Sequence, residues 1–260
     1  WETGARVGKR TLLVNWPVTS PLGIENGVQI GAALNPPFRY FYMPLWDIAS
    51  SSLFATVGHR CNQVPGRAVL VTPGPATGWS NLPKSSSTPL EVQIDVPPIY
   101  ATGVTYHVAI LDSEGKGYDQ ALVCRTKDAS APLARLRQGE RSDWIIETFE
   151  ARDGSRRGRF YFYLLQVDGT PRLKLYASAI NTAENFCVPP EVTAEVTKAA
   201  GPYMEVDDPW AYMDGWVPID FYLDQLTAHS KWWARATRYG LTSHAWHLAF
   251  SWLGTIDHIQ

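Results

Sequence analysis

The sequence predicts an α/β protein in which a large, mainly antiparallel β segment is inserted into the α/β part. Both ends of the chain combine helix-like stretches with apolar, strand-like ones. The middle consists of short alternating or β-branched stretches separated by Gly- and Pro-rich turns. We therefore expect residues 1–64 and 186–260 to form parts of the α/β core, and residues 65–185 to form a β-rich insertion, or cap.

The chain begins with a predicted helix that leads into a strand. Residues 1–8 read as the last turns of a helix ending at Gly8, and the apolar run 11–16 follows as a buried strand. Pro17 cannot continue a central strand, and the Pro and Gly residues between 17 and 27 predict a loop. In α/β sheets, a loop that follows a strand is where ligands usually bind.

The middle of the chain has the texture of an antiparallel β module. Residues 38–64 show no sustained period, and we predict irregular structure or short helix there. The strand candidates are 91–96, 104–111, 118–125, 142–149, 159–167 and 172–180. The turn sequences DSEGKG at 112–117 and DGTP at 168–171 predict two hairpins.

The carboxyl-terminal part returns to an α/β pattern. Residues 191–200 have helix-forming composition and precede Gly201, and residues 208–218 read as an aromatic loop. An amphipathic helix is predicted over 219–239, stopped by Gly240. Residues 245–253 (AWHLAFSWL) then predict a buried strand.

Composition excludes several classes of protein. The formal net charge is −2 and no polybasic run is present, which argues against a nucleic acid polymer as partner. No apolar stretch approaches the roughly 20 residues that cross a bilayer, so no membrane span is expected. Three widely spaced cysteines fit neither a disulfide framework nor a CxxC metal site, and we interpret them as ordinary buried thiols, with one disulfide and one free thiol as the alternative.

The strongest local signal for chemistry is Asp257, followed by His258, just beyond the last predicted strand. A carboxylate at the end of a buried strand can bind zinc or another divalent ion, although an Asp there also caps helices. His244 and His247 lie three residues apart near His229. In a strand their side chains would point to opposite faces, which disfavours a shared metal.

Three weaker groups of candidate residues carry open alternatives. The first group lies where the first strand ends and comprises Asn15, Trp16, Thr19 and Ser20. These residues either contact a ligand or form a packed turn. A basic cluster is either a solvated hairpin end or an anion contact: Arg152, Arg156, Arg157 and Arg159. An acidic cluster among Trp210, Tyr212 and Trp216 is either solvated or suits a sugar site or a glycosidase pair: Glu205, Asp207, Asp208 and Asp214.

Two segments carry a resemblance to a known family. Residues 1–21 read as W-x-x-x-x-x-x-G-K-R and then V-N-W-P-V-T-S-P, and residues 246–260 resemble a strand that ends in a D-x-x-x-H motif. Together they resemble type I phosphodiesterases and nucleotide pyrophosphatases of the alkaline phosphatase superfamily. Asp257 matches the Asp of the motif, whereas the motif's His would fall on the residue after Gln260.

The resemblance implies an alkaline-phosphatase-like core sheet and a hydrolase of phosphorylated small molecules. It implies two divalent metal ions, zinc by preference, with Asp257 as a ligand of one ion, while a Thr or Ser nucleophile would lie ahead of Trp1. We therefore expect the chain to be an internal segment of a longer enzyme and to be inactive alone. The alternative is a noncatalytic, aromatic-rich module that binds carbohydrate or protein, since the chain has 11 Trp and 12 Tyr.

Overall fold

The computed structural model describes residues 1–16, 24–31, 51–61, 66–96, 102–151, 154–204 and 207–254. Over these residues the protein is a mixed α/β structure with several sheets, many strands and few helices. The chain divides into two compact units. The first comprises Trp1–Ile48, Asn181–Pro209 and Ile219–Gln260, and the second comprises Ala49–Ile180 and Trp210–Pro218.

The described elements are numbered in chain order. The helices are α1 (Glu2–Arg6), α2 (Val192–Ala200), α3 (Pro209–Met213) and α4 (Ile219–Ser243). The strands are β1 (Thr11–Val14), β2 (Gly27–Ile30), β3 (Ser52–Ala55), β4 (Ala68–Leu70), β5 (Gly74–Pro75), β6 (Leu90–Val96), β7 (Val104–Leu111), β8 (Gln120–Cys124), β9 (Ala134–Arg137), β10 (Ile145–Ala151), β11 (Gly154–Phe160), β12 (Phe162–Asp168), β13 (Arg172–Ala177), β14 (Asn181–Thr182), β15 (Cys187–Val188) and β16 (Leu248–Ser251).

The first unit is built on a sheet with the strand order β15-β2-β1-β16. β1 pairs in parallel with both β2 and β16, and β15 joins β2 antiparallel. All four residues of β1 are buried, as expected of an apolar strand between two neighbours. Side chains from β1, β2, α2 and α4 share one apolar core, which includes Leu12, Ile30, Val196, Trp232 and Trp233.

The three predicted helices of this part are present as α1, α2 and α4, but the end of α4 differs from the prediction. α2 covers the predicted segment and is followed by Gly201 in a left-handed conformation, with φ 92°. α4 continues through Gly240 to Ser243, so the prediction that Gly240 stops the helix is wrong. A β-carbon at Gly240 would lie 2.9 Å from Leu12 Cδ2. The glycine therefore allows α4 to approach β1 closely.

β16 is exposed, contrary to the prediction of a buried strand over 245–253. The strand is shorter than predicted, and Leu248, Ala249 and Ser251 are exposed. The reason is its position, since β16 lies at the edge of the described sheet with β1 as its neighbour. An apolar sequence alone does not distinguish a central strand from an edge strand.

The second unit contains two sheets and a hairpin. The larger sheet has the antiparallel order β5-β6-β7-β8-β9, and the other has the order β12-β13-β3-β4. β10 and β11 pair antiparallel. The predicted turns at 112–117 and 168–171 are confirmed, because they join the antiparallel pairs β7–β8 and β12–β13. One face of β6 is buried and the other exposed, as its alternating sequence predicts.

Three local predictions in this unit are wrong. Residues 52–55 form β3 rather than irregular structure or helix, because long-range pairing with β13 and β4 gives this short apolar run its strand conformation. The strand predicted over 159–167 is two strands that meet at Tyr161, where the chain passes from the β10–β11 hairpin into another sheet. The predicted aromatic loop 208–218 contains α3, which begins at Pro209, a favourable first helical residue.

Among the described helices, none is long and apolar enough to cross a membrane.

Candidate functional site

The candidate site lies in the first unit, where three parallel strands end at the same edge of the sheet. Val14 is in register with Ile30 of β2 and with Ser251 of β16. The residues that follow these strands are therefore brought to one rim. In open α/β sheets, ligands bind outside the carboxyl ends of the strands.

Asn15 connects the three strand ends. Its backbone N–H donates to Ile30 O at 3.0 Å, and its side-chain Nδ2 donates to Trp252 O at 3.3 Å. The N–H of Trp252 in turn donates to Val14 O at 3.1 Å. Asn15 has a φ of 48°, a left-handed conformation that Asn tolerates better than most residues. The predicted site residue Asn15 is thus the hydrogen-bonding centre of the rim.

Gly31 forms the adjacent strand end. Its φ is 85° and its N–H donates to Phe186 O at 2.9 Å. A β-carbon at this position would lie 2.4 Å from Cη2 of Trp233, so any larger residue would displace that ring. Gly31 was not predicted as a site residue, because its only signal in the sequence is one glycine after a short apolar run.

A packed aromatic cluster lies beside this rim. The rings of Phe186 and Tyr203 are stacked with centroids 4.3 Å apart, and Trp232 meets Tyr203 edge-on at 5.0 Å. Trp232 and Trp233 are almost completely buried. Interlocked rings leave little room for movement, so the cluster supports the strand ends rigidly.

Trp16 also lies at the rim, next to β16. Its ring packs on Phe250 with centroids 5.3 Å apart, and it is half-buried. Of the two alternatives for this group, the packed turn therefore describes the side chain of Trp16. Pro17, Thr19 and Ser20 lie outside the described residues.

The predicted metal ligand Asp257 and its neighbour His258 also lie outside the described residues. Within the described ranges, no group of three or more His, Cys, Asp or Glu side chains is placed to hold a metal ion. The described residues thus offer no metal site of their own.

Among the described residues, His229, His244 and His247 do not form a shared metal site. The ring of His247 accepts a hydrogen bond at Nδ1 from the N–H of Arg10, at 3.0 Å, whereas His244 packs edge-on against Trp246. His229 is buried on α4, and its Nε2 accepts from Trp233 Nε1 at 2.8 Å. Each of the three rings therefore has its own contacts.

The three described carboxylates of the acidic cluster are buried rather than solvated. Asp207, Asp208 and Asp214 are 4%, 3% and 9% exposed, and Glu205 lies outside the described residues. Tyr222 donates to Asp207 Oδ2 at 3.1 Å. Burial and the negative charge of Asp207 raise the pKa of Tyr222 well above its ordinary value, which keeps this hydroxyl protonated as a donor.

The basic cluster is solvated in part, because Arg157 is exposed in β11, near the end of the β10–β11 hairpin. Arg159 is 6% exposed. Burial and the positive charge of Arg157 lower the pKa of Arg159. Arg152 lies outside the described residues.

Comparison of the chain with known proteins found no relative. The chain matches no family model, no curated protein and no solved structure.

Proposed function

We propose that this chain is a segment of a metal-dependent phosphodiesterase or nucleotide pyrophosphatase with an alkaline-phosphatase-like core. In this proposal Asp257 binds one of two divalent ions, zinc by resemblance. The nucleophile and the remaining ligands come from other parts of the complete enzyme. The substrate is a phosphorylated small molecule, and the segment alone is inactive.

One observation carries the proposal: β1 and β16 pair in parallel over their whole length, from Thr11 beside Leu248 to Val14 beside Ser251. Parallel neighbours need a crossover connection, and the chain between β1 and β16 supplies it after first adding β2 and β15 on the other side of β1. The two segments that carry the family resemblance thus follow adjacent strands. Trp16 follows β1, and the stretch that leads to Asp257 leaves β16 at the same edge.

Asn15 is assigned a positioning role in this proposal. Its hydrogen bonds to Ile30 O and Trp252 O hold the ends of β2 and β16 at fixed distances from β1. A hydrolytic site needs its groups held within a fraction of an ångström of the productive geometry. Asn15 acts on the path of the segment after β16 and need not touch the substrate.

The test is the Asp257→Ala variant of the full-length protein, compared with Asp224→Ala, which removes an exposed carboxylate from α4. The readouts are bound metal, measured by atomic emission, and hydrolysis of bis(4-nitrophenyl) phosphate. We expect Asp257→Ala to lose metal and to reduce turnover by at least about a hundredfold. The Asp224→Ala control should keep both.

Normal metal content and turnover in Asp257→Ala would refute the proposal. A full-length protein with neither metal nor turnover that binds carbohydrate or protein would instead support the noncatalytic module. Trp210 and Tyr212, which are 38% and 40% exposed, are the first candidates for such a surface.

A further inference from the structure

Trp233 of α4 lies directly against the end of β2. Apart from neighbours in the chain, the three described atoms nearest to a β-carbon at Gly31 all belong to the Trp233 ring, the closest at 2.4 Å. Trp233 is 1% exposed, and its ring makes edge-on contacts with Trp232 at 4.8 Å and with Tyr203 at 5.9 Å. In so tightly packed a place, a change in the orientation of this ring would displace the end of β2.

His229 fixes the orientation of that ring. It lies one helical turn before Trp233 on the same face of α4 and is 4% exposed. Its Nε2 accepts a hydrogen bond from Trp233 Nε1 at 2.8 Å. The indole nitrogen can only donate, so Nε2 of His229 must be unprotonated. If this acceptor were lost, the buried indole N–H would be driven to rotate toward another one.

The end of β2 connects the Trp233 ring to the hydrogen bonds of Asn15. Gly31 directly follows Ile30, whose carbonyl oxygen accepts from the Asn15 N–H at 3.0 Å. A ring that displaced Gly31 would therefore also displace the acceptor of Asn15. His229, Trp233, Gly31 and Asn15 thus form a continuous chain of contacts, and all of them lie in the first unit.

We propose that His229 is a positioning residue for the rim. By holding the Trp233 ring, it fixes the end of β2 and, through it, Asn15. The inference rests on the proposed function only for the statement that this rim belongs to a hydrolytic site. His229 acts through other residues and touches neither substrate nor metal.

Trp232 provides a matched control for this role. It is also 1% exposed, and its indole N–H donates to Gly201 O at 2.9 Å. Trp232→Phe therefore removes one indole hydrogen bond from the same apolar core, but leaves the ring that supports Gly31 in place. If His229 only stabilised the core, loss of either hydrogen bond would have similar effects at the rim.

The test records the NMR signals of the Gly31 N–H and the Asn15 amide groups in the full-length protein. We expect His229→Leu to shift these signals, and Trp232→Phe to leave them in place. His229→Gln should restore them, because its side-chain oxygen can accept from Trp233. A further measurement needs no variant to fold: in the wild-type protein, the nitrogen chemical shift of His229 Nε2 should be that of an unprotonated nitrogen.

Turnover of bis(4-nitrophenyl) phosphate gives a second readout. We expect His229→Leu to lower kcat by about tenfold with little change in KM, because it disturbs positioning and removes no contact to the substrate. A normal kcat in this variant of an active enzyme would overturn the positioning role.

Four NMR results would also overturn it. They are unchanged Asn15 and Gly31 signals in His229→Leu, no restoration in His229→Gln, an equal shift in Trp232→Phe, and a protonated His229 Nε2. A full-length protein without turnover refutes the proposed function, whereas the NMR signals decide the role of His229 independently.

Discussion

Asn15 supports the rim in two ways, through its backbone conformation and through its side-chain amide. It accepts a left-handed backbone conformation, with φ 48°, and its amide bridges to Trp252 O. Most residues lose about 1–2 kcal/mol in this conformation, whereas Asn and Gly occupy it more readily. Backbone tolerance and side-chain hydrogen bonding are therefore separable contributions at this position.

Substitution of Asn15 should separate these contributions. Asn15→Gly removes the hydrogen bond but keeps the backbone freedom, and we expect a loss of about 1 kcal/mol in the free energy of unfolding. Asn15→Ala removes both, and we expect about 2 kcal/mol. Urea unfolding measures the two losses, and equal losses would show that the conformation of Asn15 carries no strain.

Glu91 in β6 provides a titratable contact in the second unit. Its carboxylate accepts from Trp79 Nε1 at 2.6 Å and from Lys127 Nζ at 2.8 Å. Burial alone would raise the pKa of Glu91, but the hydrogen bonds from Lys127 and Trp79 outweigh it and lower the pKa. The contact also holds Trp79 over the apolar residues on this face of the sheet.

The pH dependence of stability follows from that direction. Because the folded pKa of Glu91 is lowered, its stabilisation is present above the ordinary value of 4.5 and is lost as pH falls through the folded pKa. We expect Glu91→Gln to reduce the unfolding free energy by about 1 kcal/mol at neutral pH and by less in acid. Urea titrations across this range test it, with exposed Glu25→Gln as the control. A loss independent of pH would contradict the assignment.

At the scale of elements, the two predicted hairpin turns of the second unit pack against each other. Gly117 ends the turn between β7 and β8, and Gly169 lies in the turn between β12 and β13. A β-carbon at Gly117 would lie 2.7 Å from Gly169 Cα. Neither turn can move aside easily, because each is closed by its own antiparallel strands.

Gly117→Ala should therefore be more destabilising than Gly139→Ala. Both glycines have positive φ, at 105° and 82°, so both substitutions strain the backbone. Gly139 has open space where the β-carbon would lie, and its substitution should cost about 1 kcal/mol. Gly117→Ala adds a backbone clash and should cost about 2–4 kcal/mol. Thermal unfolding of both variants measures the difference, and equal losses would mean that the turns separate freely.

At the scale of the whole molecule, two units carry different kinds of sheet. The first unit has β1 between two parallel neighbours, and the second has β7 between two antiparallel ones. Both central strands are largely buried, whereas β16 and β4 lie at edges of the described sheets. Backbone amides of the central strands should therefore be better protected against hydrogen exchange than those of the edge strands.

Hydrogen exchange provides the corresponding prediction. The N–H of Leu248 donates to Arg10 O, just before β1, and the N–H of Trp252, just after β16, donates to Val14 O of β1. By alternation, the N–H groups of Ala249 and Ser251 point away from β1. We expect these two amides to exchange at least about a hundredfold faster than that of Leu13 in β1. Exchange measured by NMR at neutral pH tests this. Equal protection would show that another strand covers the outer edge of β16.

Local patterns were sufficient where the determining contacts are local. β7 spans the predicted residues 104–111, and the turn residues of 112–117 and 168–171 lie between paired strands. α2 also follows its predicted segment. Alternation, helix-forming composition and turn residues act over a few residues, so each can be recognised without knowledge of the partner.

The sequence by itself determined which chemical groups follow each strand, including Asn15 and Trp16 after β1 and Asp257 beyond the last predicted strand. Only the tertiary structure decided that Asn15 bonds to Trp252, 237 residues away, and that Asp207 is buried. The physical reason is that periodicity reports which face of an element is buried. The partner that covers this face is chosen by packing and strand pairing across the whole chain.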